Sequence, residues 1–384
     1  MDWEREAHLE LFTADGETAV SQECSIKLHG RNTRAYVLKS FKVKAEAKYG
    51  GNRFRYPIFH DRPYDEYEAF VLRYTGQDYK YTFMRDVVLT SLARNTSVMY
   101  MEAEECICYL NGEYYSAMYI RENISPYSLA RREGWDESAA DSMDLIKAGK
   151  QVMRGSNSTY AKMVTWLESH DTASQEAYEV IDQCVDIDNF LEYCVLQIFI
   201  GTPDSINMKR YRCAETDGKW RFVLYDVDRG MRENINEFRI LSQGTNSVLF
   251  KACMNNPIIR ERFLAIMDDA LSSYLTVENV TREVDAQFQR SKAMLPQYLE
   301  MMGISKHEYE SRLKTLKTLI RRRPRQILKH CAAYLGLSNE QMVQYFPKTY
   351  AYMTGGDVAD DDEADAPGDT YDDGDDVVDP AADN

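Results

Sequence analysis

The chain has 384 residues, 44% of them apolar and 12% aromatic, which is enough to bury a sizeable core in one large domain or two lobes. Its formal net charge is −16, but residues 355–384 alone carry 13 Asp or Glu and no Lys or Arg, leaving the rest near −3. The acidity belongs to a tail, so neither a basic groove nor a nucleic-acid partner is implied.

The opening stretch, MDWEREAHLELF, lacks the basic and apolar regions of a signal peptide. No later segment offers about 18 uninterrupted apolar residues, so no membrane span is expected. Eight cysteines lie at irregular spacing, and the one close pair, Cys106 and Cys108, sits in an apparent strand rather than a metal-binding CxxC. They read as buried, reduced thiols of a cytosolic protein.

Residues 22–47 read as two strands around a polar turn. Alternation in the second puts Lys39, Phe41 and Val43 on one face and Ser40, Lys42 and Lys44 on the other. Residues 66–74 and 97–121 read as further strands, the latter a hairpin turning at Asn111-Gly112, with a helix at 81–94 between them. From about residue 126 helices dominate, at 159–170, 174–184 and 187–200. The last opens at Asp188 as N-cap and is apolar nearly all round, which marks it as a buried spine. A loop, GTPDSINMKRY, follows, then the strand WRFVLY ending in Asp226 and Asp228. Residues 246–337 read as several helices, with Pro324 starting or kinking one.

The expected architecture is α+β, with two lobes: a sheet-rich N-terminal lobe over 1–125, a mainly helical C-terminal lobe over 126–350, and a disordered acidic tail over 351–384. That is also the layout of protein kinases, although G-x-G-x-x-G, His-Arg-Asp and Asp-Phe-Gly are all missing. Phosphoryl transfer needs a carboxylate near the attacking hydroxyl, acidic or amide ligands for magnesium, and a cation on the phosphates. Asp204 and Asn207 in the loop, then Asp226 and Asp228 at a strand end, have the spacing of a base and metal ligands. Arg34, Lys39 and Lys42 are the candidate phosphate cations. Taken alone, an Asp-x-Asp after a strand is more often a turn opener, and strand-edge lysines are more often a solvated face.

Five ordered motifs resemble the spore-coat CotH kinase-like family: LHGRNTRAYVLKSFKVK, FVLRYTGQDYKYTFMRDVVLTSLAR, CYLNGEYYSAMYIREN, GTPDSINMKRY and WRFVLYDVDRG. The likeness runs from about residue 5 to about residue 340. It implies an atypical protein-kinase fold that binds ATP with magnesium, or alternatively manganese, and phosphorylates serine or threonine in proteins, spore-coat or surface proteins among them. By position it makes Asp204 the catalytic base, Asn207 and Asp226 the metal ligands, and Asp228 a further metal-side carboxylate. Lys39 or Lys42 becomes the phosphate lysine, and Glu122 falls where the lobes join on the nucleotide side.

The chain departs from the family pattern at Thr202, Thr33-Arg34, Leu38 and Ser116, and Asn207 stands alone where more asparagines are usual. The rival class is a nucleotide-holding pseudokinase or a surface assembly module. The implied partner is a basic, serine-rich protein. The implied location is the cytoplasm or spore coat, or the cell surface if the chain is a module of something longer. Arg321–Arg325 reads as a solvated helix face that the acidic tail could contact.

Overall fold

The structure is a computed structural model that describes residues 3–203, 208–233 and 235–355. Asp204, Asn207 and the acidic tail beyond Gly355 lie outside the described residues.

The N-terminal lobe runs β1 (Glu4–Phe12), β2 (Thr18–His29), β3 (Ser40–Lys44), β4 (Phe54–Arg55), β5 (Glu66–Tyr67), β6 (Ala69–Arg73), α1 (Arg85–Ser91), β7 (Met99–Tyr100), β8 (Ala103–Leu110) and β9 (Glu113–Glu122). Six of these strands form one antiparallel sheet in the order β1-β2-β3-β6-β9-β8. The β8–β9 turn is made where expected, with Asn111 at φ 52° and Gly112 at φ 81°, the left-handed pair that matches strand twist. The expected strand over 97–110 divides instead at Met101-Glu102. β7 leaves for a second sheet, and only β8 pairs with β9.

Register decides which face looks where. Lys27, Lys42, Val71 and Arg121 are successive partners across β2, β3, β6 and β9, so they share one face, and Arg73 two residues beyond Val71 shares it too. Val43, Phe70 and Ile120 occupy the opposite face and pack with Phe54, Phe59 and Tyr67 into a closed apolar cluster. The Lys42–Arg73–Arg121 face turns toward the helical lobe. Arg121 Nη1 meets Asp86 on α1 at 2.9 Å.

The remainder runs α2 (Pro126–Glu133), β10 (Met143–Lys147), β11 (Gln151–Arg154), α3 (Ser158–Ser169), α4 (Gln175–Cys184), α5 (Ile187–Ile200), β12 (Lys209–Cys213), β13 (Arg221–Leu224), α6 (Glu237–Gln243), α7 (Ser247–Asn255), α8 (Pro257–Ser272), α9 (Val277–Ser291), α10 (Leu295–Met302), α11 (Lys306–Leu335), α12 (Asn339–Tyr345) and α13 (Pro347–Gly355). A second sheet, β11-β10-β12-β13-β7, is embedded among the helices, with β7 parallel to β13. One face packs Met143, Leu145, Tyr211 and Val223 on Leu129 and Ala130 of α2. The other sets Phe222, Leu224 and Trp220 against α5. The molecule is therefore α+β and two-lobed.

Three local expectations change. The N-cap of α5 is Asp186, whose carboxylate accepts from the Asn189 N–H at 3.2 Å. Asp188 lies inside the first turn and pairs with Arg262. Pro324 does not start a helix but sits within the 30 residues of α11. Nor is Arg321–Arg325 uniformly solvated, because Arg323 is buried, on the same helical stripe as Leu316, Ile320 and Ile327.

Candidate active site

The turn that follows β13 is wired to the first lobe residue by residue. Asp226 takes φ 60°, a left-handed conformation that Asp tolerates better than most residues, and its partly exposed carboxylate receives Arg73 Nη2 at 2.6 Å. The Val227 N–H donates to Asp86 Oδ1 at 2.9 Å. Asp228 turns inward, is buried, and accepts the Gln77 N–H at 2.8 Å and Arg73 Nη2 at 3.4 Å. The Gly230 carbonyl accepts from Arg85 Nη1 at 3.2 Å, and the Met231 N–H returns to Ile200 O at the end of α5, 2.6 Å away.

The stretch between β6 and α1 is shaped to receive this turn. Gly76 sits at φ 61°, and a Cβ there would stand 2.0 Å from Asp228 Oδ2, so only glycine allows the backbone to approach. Asp78, fully buried, caps the chain into α1 by accepting from the Thr82 and Arg85 N–H groups at 3.2 and 3.0 Å. The motif residues Arg73, Gly76, Asp78, Arg85 and Asp86 thus all serve one junction.

Electrostatics make the carboxylates unequal. Burial, followed by the nearby Asp226 charge, raises the Asp228 carboxyl above its usual range. Burial would also raise Asp86, but Arg121 and Arg73 outweigh it and hold that carboxyl low. Asp226 is the more exposed member of the strand-end pair, which leaves an oxygen face open to a hard cation.

Basic side chains from both lobes gather around Lys209, beside Asp226. Lys209 on β12 is pushed down to about 7 by burial and by Lys147 and Lys42, while Asp226 pulls it up. Burial also lowers Lys42. His29, at the end of β2, is pushed down to about 3 by burial and by Arg73, Lys209, Lys147 and Lys42. None of Lys42, Lys147 or Lys209 forms an ion pair with a described carboxylate, so their charge is available to an anion.

The His29 shift has a measurable consequence. Its folded value lies below the unfolded 6.5, so the stability it contributes is complete above that pH and is lost as pH falls toward 3. Because His29 is partly exposed, screening trims the effect to about 1 kcal/mol at pH 5. Denaturation midpoints of His29→Gln should show a shallower loss between pH 6.5 and 4.5 than those of the parent chain. Parallel curves would exclude the effect.

Of the other residues singled out in the sequence, Arg34 is exposed, and Lys39 Nζ folds back on carbonyls of its own loop, Arg34 O at 2.8 Å and Tyr36 O. Glu122 is buried away from solvent and fully engaged, by Arg62 Nη2 at 2.9 Å, Tyr64 Oη at 2.6 Å and Arg132 Nη1 at 3.4 Å. It ties β9 to the loop before β5 and to α2 at the lobe junction. Asp226 and Asp228 share one turn and both meet Arg73, Lys42 lies on the same sheet face as Arg73 with no ion pair to either carboxylate, and Asp204 and Asn207 lie outside the described residues. Arg73, Asp86, Arg121, Lys147 and Lys209 were not assigned roles in the sequence. Among the described residues no group of three His, Cys, Asp or Glu is arranged to hold a metal ion. The donor chemistry still fits a hard divalent ion with a polyanion: a partly exposed carboxylate beside unpaired amines.

A sheet lobe whose strand-end Arg73 meets the Asp226 and Asp228 carboxylates of a helical lobe has the layout of a kinase-like protein. The chain belongs to the CotH kinase protein family, whose model matches residues 26–327. That membership suggests an atypical kinase-like function and, in general terms, ATP and a divalent metal. No curated protein matches the chain. No helix among the described residues is long and apolar enough to cross a membrane.

Proposed function

We propose that the protein is a CotH-type kinase that transfers the γ-phosphate of ATP to serine or threonine of a protein, with magnesium as the metal and manganese as its substitute. The reading rests chiefly on Lys42 and Asp226. Lys42 and Arg73 share one face of the first sheet, and Arg73 Nη2 holds the partly exposed Asp226 carboxylate in the turn after β13 at 2.6 Å. When bound, the metal and nucleotide supply the transferable phosphoryl group and the charge that the cleft residues must balance. Asp226 would hold the metal from the turn after β13 together with Asn207, and Asp228 would fix the turn from behind. Lys42 would neutralise phosphate oxygens, and Asp204 would accept the hydroxyl proton of the acceptor. Arg73 keeps Asp226 aimed into the junction.

Labelled ATP with magnesium or manganese and a serine peptide rich in Lys and Arg tests this directly. Transfer is expected, and Lys42→Met should lower it by about 10²–10³-fold by removing a charge aimed at the phosphates. A second reading, a nucleotide-binding protein without transfer, draws on the ion pair that Arg73 already makes with Asp226. Nucleotide binding with no transfer to any peptide, basic or acidic, would favour it over the first.

A further inference from the structure

Lys147 and Lys209 are direct Cα partners, the last pair of the β10–β12 ladder. Directly opposed like charges weaken an antiparallel pair, and the same face holds Leu145, Tyr211 and Val223, which offer no counter-charge. Lys209 is held over the ring of Tyr225, 4.5 Å from its centroid, immediately before Asp226 in the chain. Lys42 and His29 face the pair from the other lobe, and Arg73 already takes a carboxylate oxygen of Asp226.

The backbone beneath this pair is braced rather than loose. Ala148 adopts φ 48°, its N–H donates to Met208 O at 3.0 Å, and the buried Arg210 donates to Gly149 O at 2.6 Å and to Asn157 Oδ1 at 2.9 Å. A rigid turn that forces two partly buried ammonium groups together, without a partner carboxylate, costs stability unless an anion lies between them.

We propose that Lys147 and Lys209 form a phosphate subsite on the helical-lobe side, opposite Lys42, that grips a terminal phosphate group. This rests on the kinase reading above and extends it. The phosphate is either the last one of a nucleoside triphosphate or one already carried by the acceptor. The two lysines are fixed by the sheet, so they recognise the position of a phosphate rather than the identity of a base or sugar.

Calorimetric titration of the full chain with ATP, ADP and a phosphoserine peptide distinguishes these sources. Lys147→Met and Lys209→Met are compared with Lys150→Met, an exposed lysine on the adjoining turn. Each subsite substitution should weaken ATP binding by about 10–100-fold and leave ADP within about twofold, since one charge-assisted contact is lost. The melting temperature of the unliganded chain should rise by about 1–3 °C as the like-charge pair is relieved. If ATP and ADP bind alike but the phosphoserine peptide loses affinity in both variants, the subsite stands and its phosphate comes from the acceptor. If no variant changes the affinity of any phosphate-bearing ligand, the subsite is wrong. If the parent chain binds no nucleotide at all, the kinase reading fails, and the phosphopeptide arm alone then decides the subsite.

Discussion

Asp226→Asn is expected to lower phosphate transfer by about 10³-fold or more while leaving the fold intact. A carboxylate on a divalent ion contributes several kcal/mol of transition-state charge stabilisation, which an amide does not replace. The backbone tolerates the change, because Asn accepts the left-handed φ 60° that this position requires. Stability should move little, since Arg73 keeps Asp228 and Asp86 as partners and one of two facing negative charges has gone. Asp228→Ala should behave in the opposite way. It strands the Gln77 N–H, a loss of about 1–3 kcal/mol for a buried donor, and loosens the contact between lobes before it affects chemistry. Transfer rates and thermal melts of the two variants separate the roles. Should Asp228→Ala lose transfer at unchanged stability while Asp226→Asn keeps it, the assignments are reversed.

The strand-end pair was legible because a short apolar run that stops in two carboxylates breaks the local rule for a core strand. The two-lobed α+β organisation was legible from a change in hydrophobic period near residue 126. The Asn111-Gly112 hairpin and the extent of α5 followed from turn chemistry and helical spacing, although the true cap lies two residues upstream at Asp186. What the reading missed is non-local. Arg73 appears in the sequence as one basic residue at the end of a strand, and its role comes from carboxylates 153 and 155 residues away. Lys147 sits on the five-residue β10, whose partner β12 is more than 60 residues downstream, so nothing nearby marks it as half of a facing pair. Glu122, at the end of the hairpin, was expected on the nucleotide side where the lobes join. Only the surrounding arginines and Tyr64 reveal that its oxygens are already taken. Arg323 could have been found: helical spacing sets it among Leu316, Ile320 and Ile327, and an arginine on an apolar stripe needs buried partners.

Those partners make Arg323→Met the substitution with the largest expected cost in stability. Arg323 is 1% exposed and donates to the carbonyls of Ile198 and Phe199, at 2.9 and 2.8 Å, on the last turn of α5. It also pairs with Glu237, which is equally buried and whose other oxygen meets His330 Nδ1 at 3.0 Å. Gly201 at φ 60° lets the chain pass beneath, since a Cβ there would stand 2.1 Å from the guanidinium. Methionine fills the space but leaves Glu237 as a buried charge with one histidine, and it removes the cation that complements the negative end of α5. Breaking such a pair from one side costs about 3–5 kcal/mol, whereas Arg323→Met combined with Glu237→Gln should recover part of it. Denaturant unfolding of the parent, both single variants and the double variant measures that coupling. Because the α5 terminus feeds directly into the segment bearing Asp204, transfer by the folded fraction of Arg323→Met should fall as well, and the double variant should regain stability without regaining rate. Unfolding midpoints that match the parent would mean that Arg323 does not hold this helix end in solution.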